Sequence, residues 1–151
     1  MDSVYQMAWI SSFDFFKFLD RTDQIVIVKT VTLQLMILTN SFFSYCNNSS
    51  TCIFPDGSYF VWLDTMFDVI RNCNEIHLDR GEYALLKILL LCNPNWDKLS
   101  RSAFQLLSST QQNYTNLLMD YCMRNHGASE GPARMATLLQ LKNTIIHKVF
   151  K

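Results

Sequence analysis

Three histidines, five cysteines and 13 acidic residues give this 151-residue chain the raw material for catalysis, but not the arrangement. His77, His126 and His147 lie far apart in sequence. Cys122 and His126 stand at a spacing that supplies half of a metal site, with no second pair to complete it. Asp64 and Asp68 share one helical face, and that face reads as solvated. Neither a glycine-rich phosphate loop nor a nucleophile elbow occurs. The cysteines, at 46, 52, 73, 92 and 122, are odd in number and form no Cys-x-x-Cys, so they read as small apolar residues in a reducing compartment. Cys46 and Cys52 could bridge across a loop. These patterns predict no enzyme, no cofactor and no metal site.

Composition points to binding instead. The chain is 49% hydrophobic against 17% charged, and its length suits one domain, residues 1–151, with a real core. Four glycines and three prolines favour long regular segments over many turns. The formal net charge is zero, which leaves no electrostatic footprint for nucleic acid. The apolar run from Ile25 to Leu38 is interrupted by Lys29 and Gln34, and is too short and too polar to span a bilayer.

The elements that must position these side chains are mostly helical. Tyr5, Trp9, Phe13 and Phe16 recur at steps of three and four, which predicts a helix from Ser3 to about Phe18 with one apolar face. Asp20 to Asp23 reads as a turn, with Asp20 as a cap for the next helix. That helix runs to about Tyr45 and is apolar on nearly every side, so it belongs in the middle of the protein. Cys52 to Val61, turning at Pro55-Asp56-Gly57, reads as a short hairpin. A helix follows from about Trp62 to Asn74, with Met66, Val69, Ile70 and Cys73 inward. Asp79 and Glu82 form a capping box, and Asn93-Pro94 ends the helix it opens. Ser102 to about Arg124 is amphipathic through Phe104, Leu107, Tyr114, Leu118 and Tyr121. Gly127 to Gly131 reads as a loop, with Pro132 starting the last helix, which Leu138, Leu141, Ile145 and Val149 line.

The run from Trp9 through Phe16, Leu19, Asp23 and Gln24 to Lys29 resembles the signature of nuclear hormone receptor ligand-binding domains. There a Trp and a Phe-x-x-Leu precede Asp-Gln, and a basic residue follows. Asp79 to Pro94 is similar to the family's acidic-start helix ending in Asn-Pro, Leu117 to Cys122 to its ninth helix, and Pro132 to Leu139 to its tenth. The low identity elsewhere looks like the divergent receptors expanded in nematodes. The resemblance implies an all-α, three-layer antiparallel helical sandwich with one short β-hairpin. It also implies a nuclear transcription factor module that binds an apolar small molecule, a coregulator helix or a receptor partner. The family's first helices, zinc module and terminal activation helix have no counterpart in these residues, so a domain truncated at both ends is expected.

The same resemblance names residues. Ser11, Gln24, Ile25, Val28 and Lys29 would form the coregulator groove, in which leucines of a partner helix lie in an apolar slot. In the family a lysine caps the partner's C-terminal carbonyls and a glutamate of the terminal helix caps its N-terminal amides. Much of the family has a Lys two residues after the Trp. Ser11 stands there here, so the clamp is incomplete and partner binding is expected to be weak. Met36, Asn40, Phe43, Phe54, Trp62 and Thr65 would line the ligand pocket. Phe43 occupies the position where many hormone-binding members carry an Arg, which argues against an acidic ligand. Glu82 and Arg134 would pair across two helices as an architectural contact. Homo- or heterodimerisation through the last helix, whose Leu138–Val149 face would be exposed, is a further expectation. Contact with nucleic acid or membrane is not expected. Two other classes fit the composition: a ligand-free helical interaction module and a small lipid carrier.

Overall fold

A 26-residue helix without a glycine or proline, Arg21–Cys46, forms the centre of the molecule. The computed structural model describes residues 3–48, 52–53, 59–60 and 64–149. Along them run α1 (Ser3–Ser11), α2 (Asp14–Lys17), α3 (Arg21–Cys46), β1 (Cys52–Ile53), β2 (Tyr59–Phe60), α4 (Asp64–Ile76), α5 (Arg80–Leu91) and α6 (Arg101–Val149). The fold is an all-α, three-layer sandwich with one small hairpin. Helix α3 packs against α1, α4, α5 and α6 and against β1, as a member of the central layer must. Ile27, Val31, Leu35 and Leu38 are wholly buried along it. Its circumference is not uniformly covered, however: Ile25 is 44% exposed and Leu33 42% exposed. By length and composition α3 could cross a membrane, which the shorter run Ile25 to Leu38 had not suggested. Its apolar side chains instead meet the other helices, as in a core helix.

The hairpin pairs antiparallel, with Cys52 opposite Phe60 and Ile53 opposite Tyr59. Its expected turn, Pro55-Asp56-Gly57, lies outside the described residues. Helix α4 ends about two residues later than the sequence pattern suggests, its expected start at Trp62 lies outside the described residues, and Met66, Val69, Ile70 and Cys73 are its buried side. It ends on His77 in the left-handed region (φ 53°), with the Leu78 N–H donating to the Cys73 carbonyl at 3.1 Å. This six-to-one bond is the Schellman closure of a helix.

Two expectations fail for physical reasons. The first helix does not reach Phe18. Ser12 donates both its N–H (3.2 Å) and its hydroxyl (2.6 Å) to the Trp9 carbonyl, which closes α1 early. Phe13 is then extended (φ −82°, ψ 131°), and its ring meets Trp9 edge-on at 4.9 Å. The buried side of α1 is Gln6 and Ile10, whereas Tyr5 is 64% exposed. The second failure is the loop from Gly127 to Gly131. Only Gly127 leaves helical geometry (φ 82°, ψ 171°), and Pro132 lies inside the helix that resumes after it. Gly131 lies in that second arm, and the first arm presses on it. A Cβ there would meet Met123 Sδ at 2.7 Å and Met123 Cα at 3.0 Å.

The core is continuous, from Ile10 and Phe16 through α3 to Leu138 and Ile145. Cys73, Cys92 and Cys122 are free and buried within it, and Cys46 is free and exposed, so no bridge from Cys46 to Cys52 forms. Burial pushes the thiols of Cys73 and Cys92 up to about 12, which keeps them as inert apolar fillers.

Phe16 anchors the segment between α1 and α3 in this core. Phe16→Ala should lower the unfolding free energy by roughly 3–5 kcal/mol in urea titrations. A loss under about 1 kcal/mol, as for surface changes, would contradict that anchoring.

Candidate functional site

Helix α3 begins at a corner tied by two polar side chains. Gln24 Nε2 donates to the Phe16 carbonyl at 2.9 Å, which fixes α2 against the first turn of α3. Asp23 is buried and accepts from the Ser100 N–H (2.9 Å) and the Ser100 hydroxyl (2.6 Å). Ser100 Oγ in turn accepts from Ala103 N–H at 3.2 Å, so the cap of α6 is held by the start of α3. Asp20 is the N-cap residue of α3, but it contributes its backbone carbonyl to Gln24 N–H (2.9 Å) and makes no side-chain cap bond. Leu19 is buried beside the corner.

Trp9 is held from behind by a buried lysine. Lys87 Nζ lies 4.1 Å from the Trp9 ring centroid and 5.8 Å from that of Tyr83. Burial lowers the affinity of this amine for its proton. The aromatic faces offset part of that cost. Tyr83 stacks on Phe42 at 4.3 Å and donates to Thr39 Oγ1 at 3.1 Å, so α1, α5 and α3 are joined by one line of contacts.

On the outer side of the corner lies a cleft of about 370 Å³. Ser11, Gln24, Ile25, Val28 and Lys29 all line it, with Met7, Phe16 and Arg21. The floor is apolar and the charged heads are exposed. Arg21 and Met7 were not among the residues singled out from the sequence. A signal for both exists: Arg21 stands three and four residues before Gln24 and Ile25, and Met7 four before Ser11. A second cleft of about 710 Å³ shares Ile25 and Lys29, and is otherwise walled by Asn93, Trp96, Lys98 and Ile146 among others.

Met36, Asn40 and Phe43 line neither cleft. Asn40 is fully buried, and its carbonyl accepts from Ser44 Oγ at 2.8 Å. Met36 and Phe43 are half-buried. Phe54 and Trp62 lie outside the described residues, as does the side chain of Thr65. Among the described residues the last helix does not offer the apolar face expected for dimerisation. Leu138, Leu141 and Ile145 are turned into the core, and the side chain of Val149 lies outside the described residues.

Away from the clefts, Glu82 is completely buried. Arg134 donates to it twice, through Nε to Oε2 (2.7 Å) and Nη2 to Oε1 (2.6 Å), and through Nη1 to the Ile76 carbonyl (2.6 Å). The bond to Glu82 raises the guanidinium further above its ordinary range. Glu82 N–H donates to Asp79 Oδ1 (2.7 Å) and Asp79 N–H to Glu82 Oε1 (3.1 Å), a capping box. Tyr121 completes the set by donating its hydroxyl to Asp79 Oδ1 at 2.9 Å. Burial first, and this bond to Asp79 second, push the phenol above its usual range. No group of three or more His, Cys, Asp or Glu gathers as a metal site among the described residues.

A layered helical sandwich around an Asp-Gln corner, with a Glu–Arg pair behind it, is the architecture of a nuclear receptor ligand-binding domain. Residues 2–150 match the family model described as the ligand-binding domain of nuclear hormone receptor, and the chain belongs to that family. It is 28% identical over 156 residues to nuclear hormone receptor family member nhr-153 of Caenorhabditis elegans, across 92% of this chain and 37% of the relative. It is 30% identical over 140 residues to member nhr-60 of the same organism, across 89% of this chain and 31% of the relative. The chain thus spans about a third of the length of these relatives. The ultraspiracle ligand-binding domain from Drosophila melanogaster has the same fold, with a TM-score of 0.80 at 16% identity over 92% of this chain and 62% of that one.

Glu82 sits with no exposure, so removing it strands the Arg134 charge between helices. Glu82→Ala should cost about 3–5 kcal/mol in chemical unfolding. A loss below about 1 kcal/mol would mean that the pair is not coupled to folding.

Proposed function

We propose that this chain is the ligand-binding-domain module of a nuclear receptor transcription factor, acting in the nucleus, and that its 370 Å³ cleft receives a short amphipathic coregulator helix. One observation carries the reading: five residues from two helices, Ser11 on α1 and Gln24, Ile25, Val28 and Lys29 on α3, line a single cleft. Ile25, Val28, Phe16 and Met7 supply an apolar floor for leucines at i, i+3 and i+4. Lys29 stands at its rim, where an ammonium meets the C-terminal carbonyls of a docked helix. An apolar small molecule near Met36, Asn40 and Phe43, with Phe54, Trp62 and Thr65, would act by population shift, favouring one arrangement of the cleft. Family membership supports binding rather than catalysis. A second reading, a ligand-free interaction module, is favoured by the complete burial of Asn40.

Two measurements test these readings. A fluorescein-labelled leucine-rich helical peptide should bind saturably in anisotropy titrations. Val28→Asp should abolish the signal, and Lys29→Ala should weaken it about 2- to 5-fold, the worth of one exposed charge–dipole contact. Unchanged affinity in Val28→Asp would remove the cleft from consideration. Separately, a lipid extract that contains the ligand should raise the melting temperature, because binding to the native state stabilises it by mass action. An unshifted transition across many lipid classes supports the ligand-free module.

A further inference from the structure

The cleft carries two cations and no carboxylate. Arg21 and Lys29 both line it, with Met7, Ser11, Phe16, Gln24, Ile25 and Val28 as the remaining wall. Neither cation has an ion-pair partner among the described residues. Of the nearby acids, Asp14 pairs with Lys17 at 3.6 Å and Asp23 is turned inward to Ser100, while Asp20, next to Arg21, is exposed and does not line the cleft. A chain of zero net charge therefore presents a locally positive cleft.

The spacing matters as much as the sign. Arg21 is the first residue of α3, and Lys29 lies eight residues on. Eight residues rise about 12 Å and bring the side chain back to within about 80° around the axis. The two cations thus bracket the apolar stretch Ile25–Val28 on one side of α3. If Lys29 takes the C-terminal carbonyls of a docked helix, Arg21 faces that helix's other half. The N-terminal end of a helix is itself positive and repels a guanidinium. A carboxylate in the partner's first turn reverses that repulsion and matches the arginine fork.

We propose that Arg21 is a specificity-determining residue, which makes this cleft selective for amphipathic helices carrying carboxylates in the turn preceding their apolar anchors. This rests on the helix-binding reading of the cleft and names the occupant's chemistry.

The test uses the full chain and three labelled peptides with the same leucines at i, i+3 and i+4, preceded by glutamates, glutamines or lysines. Wild-type protein should bind them in the order Glu, Gln, Lys, about 2- to 5-fold apart per step, as expected for exposed ion pairs. Arg21→Gln should compress this order, weakening the glutamate peptide relative to the glutamine and lysine peptides, and Arg21→Glu should invert it. The differences should shrink at about 0.5 M salt, where the screening length falls to a few ångströms. Equal affinity for all three peptides, or an order that survives in Arg21→Gln, overturns the charge selection and leaves the cleft reading standing. Failure of every peptide to bind overturns both.

Discussion

The structure depends on one buried carboxylate. Glu82 has no access to water, and such a group is tolerated only when every oxygen finds a strong donor. Arg134 supplies two bonds and Asp79 N–H a third, so both Glu82 oxygens are satisfied. The same guanidinium holds the Ile76 carbonyl, and the capping Asp79 receives Tyr121. The end of α4, the start of α5 and both arms of α6 therefore share one polar node. Close backbone approaches accompany it. Gly81 sits where any Cβ would collide with the Tyr121 ring, and Gly131 where one would press into Met123. Small residues at these two points let the helices come near enough for the node to close.

A second, smaller lock sets the part of the surface that can receive a partner. Gln24 fixes the Phe16 carbonyl and Asp23 fixes Ser100, so the start of α3 is held on both sides by bonds that do not involve the cleft-lining cations. The result is a preformed wall, with its polar groups committed inward and its two cations left to the outside. Preorganisation of this kind matters when individual contacts are weak, because little conformational freedom is then lost on binding.

What the sequence disclosed follows the strength of the local signal. The apolar circumference of α3, the Asp79–Glu82 box and the Asn93-Pro94 stop are legible because each is a short pattern with one physical solution. The residues lining the cleft were legible through their resemblance to the family signature, and helical spacing was enough to have added Arg21. The break at Ser12–Phe13 was not legible, because serine donating to a carbonyl three residues back competes with helix continuation and leaves no periodic trace. Gly127 to Gly131 misled for the opposite reason. Two glycines read as the ends of a loop before a helix-starting proline, but Gly131 is demanded by the Met123 contact rather than by a turn. The apolar face of the last helix was read correctly as apolar and wrongly as free, since only the packing of three-dimensional neighbours decides which stripe is covered.

Helix α3 has one property whose mechanical effect reaches the whole molecule. Its 26 residues contain no hinge-forming glycine or proline. Such a rod is about 39 Å long. A lever of that kind amplifies: pivoting it by about 3° at Phe43 swings the Arg21 end, about 33 Å away, through about 1.7 Å. A packing change too slight to be seen as a rearrangement at one extremity would thus alter the width of the opening at the other by nearly the radius of a methyl group.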